Sequence, residues 1–342
     1  MVTYCPEPNR YHQNRFRRCG DSALRLPLIS LGLWQNFGGV NAFEDGRAVL
    51  RHAFDRGVTH FDCANMYGPP GGSAEVNLGR MMRTDFSAHR DELIISSKAG
   101  YEMWPGPYGI GASRKHLIAS IDQTLDRLGV DYVDIFYAHR PWPDDPMEET
   151  MAAMADIVRH GKALYVGVSS FSPERTRRAA ELLRSEGVRL LIHQPSYSMF
   201  NRHIEAGLLD TLGELGVGCI GFSALAQGLL TDRYIDSTPS TARASERSSF
   251  SAEFLSEDNL RRVRALADIA RRRGQSLAQM AIAWVLRDAG VTSALIGART
   301  VEQLDDSLNS LNRLDFTSGE LAEIDQYAQE GGIDLWRETS SL

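Results

Sequence analysis

Eight short apolar runs, rich in β-branched residues and each followed by a polar turn and helical periodicity, set the strongest limit on what this chain can fold into. They are "LISLGLW" (28–34), "VTHFDCA" (58–64), "LIISSKA" (93–99), "VDIFYAH" (133–139), "ALYVGVSS" (163–170), "LLIHQPSY" (190–197), "GCIGFS" (218–223) and "SALIGA" (293–298). Their interiors are continuously apolar rather than alternating, the pattern of parallel strands covered on both faces. Eight units of roughly 30 residues predict an α/β fold, a closed (β/α)8 TIM barrel. A doubly wound open sheet is the alternative, but no GxGxxG turn follows the first run.

Helix starts are readable between the runs. Ser172-Pro173-Glu174 offers an N-cap serine, a proline at the first helical position and an acid in the first turn. Thr317 with Glu320, and Ser276 with Gln279, have the spacing of capping boxes. Two regions fall outside the repeat. "FRRCGDSALRLPL" predicts a short N-terminal hairpin turning at Gly20-Asp21-Ser22. A long insertion separates the seventh and eighth runs; its first part, "DSTPSTARASERSSFSAEF", predicts a mobile loop, and its second, from Asp258 to Arg287, is helical. No linker divides the 342 residues, so one domain over 1–342 is expected.

Composition narrows the class. A net charge of −7 argues against a nucleic-acid partner, and no run reaches the roughly 18 uninterrupted apolar residues of a membrane span. The first residues lack a signal peptide's apolar core, and Cys5, Cys19, Cys63 and Cys219 form no CxxC pair. Free thiols, no metal site and a cytoplasmic location are the expectation.

In a TIM barrel the chemistry sits at the C-terminal ends of the strands. There the chain places Asp62, Tyr67 in the loop just beyond it, Lys98 and His139. Taken singly, Asp62 reads as a turn cap and Tyr67 as a cover for the core. Together the four groups suit one task. A tyrosine, with a reference pKa near 10, is a poor proton relay at neutral pH. A lysine beside it would lower that pKa, a carboxylate would hold the lysine, and a histidine could orient a carbonyl. Such a device protonates a developing alkoxide, so the partner reaction is hydride delivery to a carbonyl. A Schiff-base aldolase with Lys98 as nucleophile would need an uncharged lysine, which Asp62 opposes.

The chain resembles the aldo-keto reductases over nearly its whole length, through "GVTHFDCANMYG", "LGVDYVDIFYAHRP" and "LIGARTVEQLDDSL". The resemblance implies Tyr67 as general acid, Lys98 and Asp62 as its tuning pair, His139 as substrate orienter, and NADPH/NADP+ as cofactor. It further implies Asp62 as a cofactor-binding residue and Trp34 as a wall of the nicotinamide pocket, with Ser169, Ser170 and Gln194 as carboxamide partners and Phe222 stacked on the ring. Ser223, Leu225 and Gln227 would follow the pyrophosphate, and Arg233 and Arg243 would supply charge to the phosphates. Gly297, Arg299, Gln303, Asp306 and Ser307 would meet the adenosine end, where Gln303 also reads as the second half of a capping box opened by Thr300. "WQNFGG", "YGPPGGSAE", "KAGYEMWPGPYGIGASRK" and "HQPSYSMFNR" resemble the subgroup of bacterial glyceraldehyde-3-phosphate reductases, which is similar to the potassium-channel β subunits. The implied substrates are small aldehydes, L-glyceraldehyde 3-phosphate and methylglyoxal-like carbonyls, held by Trp34, Tyr67, Trp104, Tyr108 and His139, with Tyr101 a further wall and Arg114 a candidate phosphate contact or a solvent-facing helix residue. A homo-oligomer is compatible with this reading, and a regulatory, cofactor-binding subunit is the alternative to an enzyme.

Overall fold

The computed structural model describes residues 4–12, 15–235 and 252–336. A two-stranded antiparallel hairpin opens it, β1 (Phe16–Arg18) and β2 (Arg25–Pro27), turning through Gly20-Asp21-Ser22 as the sequence predicts. The eight apolar runs become β3 (Ile29–Gly32), β4 (His60–Asp62), β5 (Ile94–Ala99), β6 (Val133–Ala138), β7 (Ala163–Ser169), β8 (Leu190–Gln194), β9 (Gly218–Phe222) and β10 (Val291–Ile296). All pair in parallel, and β10 returns to β3 through Ala294–Ile29, Leu295–Ser30 and Ile296–Leu31, closing the barrel.

Helices alternate with the strands: α1 (Phe43–Asp55), α2 (Ser73–Thr84), α3 (Arg114–Leu128), α4 (Met147–Arg159), α5 (Pro173–Ser185), α6 (Leu208–Leu215), α7 (Glu257–Arg272), α8 (Leu277–Val285), α9 (Val301–Asn309) and α10 (Ser318–Asp325). The three starts read from the sequence follow their caps. Ser172 accepts from the Arg175 amide ahead of Pro173, and the Ser276–Gln279 and Thr317–Glu320 boxes are both closed. The helical stretch from 258 to 287 is two helices, because Gly274 takes φ +69° and Ser276 caps a new start. Most of the predicted loop 236–254 lies outside the described residues.

Apolar side chains pack in two bodies. The larger lies between strands and helices, around Phe54, Phe86, Met151 and Trp284. The smaller fills the barrel itself, where Ile135, Tyr137, Leu191 and Ile220 meet Cys19 and Leu26 from the hairpin. The hairpin is thus a stopper at the N-terminal end. Its Asp21 amide donates to the Gly216 carbonyl over 2.9 Å, and a side chain on Gly218 would overlap the Cys19 sulfur. All four cysteines are free, and Cys19, Cys63 and Cys219 are buried.

Candidate active site

Strand alternation explains why the polar groups converge. Residues two apart on a strand point to the same face, so His60 and Asp62 on β4, and Ser96 and Lys98 on β5, all point into the barrel. Lys98 is fully buried, and its three N–H groups have three acceptors: Asp62 Oδ2, the Cys63 carbonyl at 2.7 Å and the Tyr67 hydroxyl at 3.3 Å. Asp62 Oδ1 accepts from Ser96 Oγ at 2.6 Å and from Gln194 Nε2 at 3.2 Å. Tyr67 stands between Trp34, ring centres 6.4 Å apart, and His139, 6.0 Å away.

Tyr67 is held there by a clasp between two loops. The Gly39 amide donates to the Pro69 carbonyl over 2.9 Å, and Asn77 Nδ2 donates to the Phe37 carbonyl over 2.8 Å. At Gly38 a Cβ would lie 2.6 Å from the Gly68 carbonyl carbon and 2.7 Å from the Pro69 oxygen, so only glycine lets the backbones approach this closely.

The electrostatics correct one expectation. Lys98 does not bring the phenol into the neutral range: burial pushes Tyr67 well above the usual phenol value, and the Asp62 carboxylate adds to this. Seen from Tyr67, the Lys98–Asp62 ion pair is nearly neutral overall and cannot offset the lost hydration. The hydroxyl therefore stays protonated. Burial also holds His139 well below its usual value, with Lys98 and Arg140 adding to the effect, so its ring is neutral.

Asp62, Tyr67 and His139 line a cavity of about 800 Å³. Trp34, Ser169, Ser170, Gln194 and Phe222 line the same cavity. Ser169 Oγ donates to the Gln194 carbonyl over 2.8 Å, and Ser170 takes φ +58°. Ser223, Leu225 and Gln227 also line it, on a loop where Ser223 and Gln227 both have φ +60°. Non-glycine residues adopt such angles only where the surroundings enforce them. Arg233, Gly297, Arg299 and Gln303 line it too, with Asp306 and Ser307. Arg243 lies outside the described residues.

Several of these side chains have partners of their own. Gln303 Oε1 accepts from the Arg299 amide at 3.0 Å, one residue before the cap Thr300, so the capping box is only half formed. Asp306 accepts from Gln279 Nε2 at 2.6 Å and from Ser276 Oγ, and ties α9 to α8. Ser307 Oγ donates back to the Gln303 carbonyl over 3.0 Å.

Trp104 and Tyr108 do not reach the cavity. The 100–113 loop turns on itself through the Met103 amide and the Gly109 carbonyl, 2.9 Å apart, which sets Trp104 against His116 of α3 and leaves Tyr108 57% exposed. Arg114 pairs with Asp156 over 2.6 Å on the surface. Tyr101 alone of that loop lines the cavity, 4.7 Å from His139 ring to ring. Other lining residues left no sequence signal: Gln35 at φ +67°, Met66, the acids Asp232 and Glu302, and Trp336, whose ring meets Phe222 edge-on at 4.7 Å.

The profile of the aldo/keto reductase family matches residues 28–329. The chain belongs to that family. This aldo/keto reductase is 56% identical to L-glyceraldehyde 3-phosphate reductase of Escherichia coli (strain K12), over 99% of both chains. It is 34% identical to a probable voltage-gated potassium channel subunit beta of Oryza sativa subsp. japonica, over 90% of this chain and 94% of that one. A similar protein of Arabidopsis thaliana is 33% identical, over 87% and 91%. Among the described residues no helix is long and apolar enough to cross a membrane. The chain is an oxidoreductase of a family that generally uses NAD(P)H.

Proposed function

We propose that this chain reduces small aldehydes with NADPH, L-glyceraldehyde 3-phosphate first and methylglyoxal-like carbonyls beside it. The observation that carries the reading is Lys98, buried with all three N–H groups engaged and one of them on the Tyr67 hydroxyl at 3.3 Å. A lysine so committed is an orienter rather than a nucleophile.

The cavity lining suits an anionic cofactor with a planar ring. It includes the aromatic side chains of Trp34 and Phe222, and Arg299 just before the N-terminus of α9. Helix N-termini favour phosphate, and Arg299 and Arg233 offer cations to the cavity. When bound, the cofactor supplies hydride to the carbonyl carbon. The chain does the rest. His139, neutral, orients the carbonyl oxygen, and Tyr67 gives it a proton. Lys98 donates to the phenolate that Tyr67 becomes, while Asp62 keeps Lys98 in place. Four free cysteines suit the cytoplasm.

A second reading, a regulatory cofactor-binding subunit, has the similarity to probable channel subunits behind it. The complete Tyr67–Lys98–Asp62–His139 set favours the enzyme. Steady-state reduction of both aldehydes with NADPH and with NADH, plus fluorescence titration of NADPH, tests both readings. Tyr67→Phe should bind NADPH nearly normally while kcat falls about 10²–10⁴-fold, the usual worth of a positioned general acid. Lys98→Met should fall comparably, and Asp62→Asn should lower kcat without unfolding the barrel. Absence of wild-type turnover would favour the regulatory subunit, and equal use of NADH would remove the cofactor preference.

A further inference from the structure

Behind Asp62 lies a chain of buried polar groups that the reaction scheme leaves unused. Ser96 Oγ, 2.6 Å from Asp62 Oδ1, is also 2.9 Å from His60 Nε2. His60 Nδ1 is 2.9 Å from Ser30 Oγ, which is 2.7 Å from Ser293 Oγ. Ser30, His60, Ser96 and Ser293 are all fully buried. Each sits on a different strand, β3, β4, β5 and β10, so the chain crosses the seam where the barrel closes.

Its polarity follows from the proton inventory. A carboxylate can only accept, so Ser96 spends its single hydroxyl proton on Asp62 and must accept from His60. His60 is then the Nε2–H tautomer, its Nδ1 accepts from Ser30, and Ser30 accepts from Ser293. Burial holds His60 down at about 4, against the pull of Asp62, so the ring is neutral and carries the single N–H this order requires. Every donor points toward the carboxylate. Bonds in such a row polarise one another, and a buried row is strong only when every member is satisfied. Ser293, at the far end, is itself buried, which suits orientation rather than proton supply.

We propose that His60 is a positioning residue: through Ser96 it fixes the Asp62 carboxylate, and so holds the Lys98 ammonium where it meets the Tyr67 hydroxyl. This rests on the reading of Tyr67 as proton donor. The Lys98–Tyr67 contact, at 3.3 Å, is longer than the bond from Lys98 to the Cys63 carbonyl, at 2.7 Å, so a small rotation of Asp62 would be felt at the phenol.

Three measurements test it. In ¹⁵N-histidine NMR of the protein without added ligand, His60 should be neutral and protonated on Nε2 from pH 8 to 6; an Nδ1–H tautomer would overturn the proposed order. In methylglyoxal reduction, His60→Leu should lower kcat about tenfold, the size seen when outer partners of metal ligands are removed. KM and the NADPH dissociation constant should stay within about twofold of wild type, since the truncation acts through the proton donor and not on binding. His60→Gln, whose amide N–H can still reach Ser96, should recover most of the loss. In an Asp62→Asn background His60→Leu should cost little more, because the group it holds is gone. Ser96→Ala carries the same expectation where His60→Leu does not fold. Wild-type kcat in both His60→Leu and Ser96→Ala, beside an inactive Tyr67→Phe, would overturn the positioning role alone. An active Tyr67→Phe would overturn the reading beneath it as well.

Discussion

Tyr67 is under two opposed influences, burial that keeps its proton on and Lys98 that waits for the anion. The first prevails at rest, so the residue is stocked with a proton at any working pH. The sequence identified the four strand-end groups but had the sign of this shift wrong, because motif spacing does not report how much water a side chain loses. Of the substrate walls that the resemblance implies, Trp34, Tyr67, Tyr101 and His139 line the cavity, whereas a local turn faces Trp104 and Tyr108 away from it. A cation beside the site went unnoticed: Arg140 follows His139 and stacks at 4.5 Å on Tyr101 and 4.1 Å on Trp142. A substrate phosphate needs such a partner, and a charge-assisted bond to it contributes about 1.5–3 kcal/mol. Arg140→Ala should therefore raise KM for glyceraldehyde 3-phosphate about tenfold or more and leave methylglyoxal, which has no phosphate, nearly unchanged. Equal effects on the two substrates in steady-state assays would place Arg140 in structure only.

Among the elements, the strands and the helix starts at Ser172, Ser276 and Thr317 are legible because each rests on a local rule, a β-branched run or a capping side chain, whereas α1, α2, α4 and α6 begin without one. The clasp between the 34–41 and 65–72 loops is not legible, since close backbone approach has no signature beyond a glycine, and "FGG" and "YGPPGG" are rich in them. That clasp is what aims Tyr67. Gly38→Ala would force the two backbones apart, because the added methyl meets main chain at 2.6–2.7 Å with no flexible side chain to yield. A misplacement of about 1 Å near the reacting groups can cost on the order of 10²-fold. The expected outcome is a large fall in kcat with NADPH affinity and barrel circular dichroism retained. An unaffected kcat would mean that the loop keeps its aim without the clasp.

At the scale of the molecule the barrel was readable from its eight repeats, whereas the tail that brings Trp336 to the cavity was not, because it falls after the last repeat and carries no periodicity. The barrel also buries histidines in neutral form. Burial holds His60 at about 4 and His193 at about 3, and His139 well below its usual value. The unfolded chain takes up these protons near pH 6.5, whereas the folded chain declines them until far lower. Stability contributed by the three is thus complete above about pH 6.5 and is lost as pH falls toward 4, each histidine approaching about 1.4 kcal/mol per pH unit. Urea midpoints between pH 7.5 and 5.5 should drop steeply, and the drop should be shallower by one proton in His60→Leu. A midpoint flat across that range would show that these rings are accessible to protons when folded. The hairpin has a practical consequence for anyone attaching the protein to a surface. Ala23, exposed near the hairpin turn, is at the sealed end, so a tether fixed there leaves the open end facing the solution. A tether fixed directly after Trp336 would begin beside the cavity that Trp336 lines and crowd it.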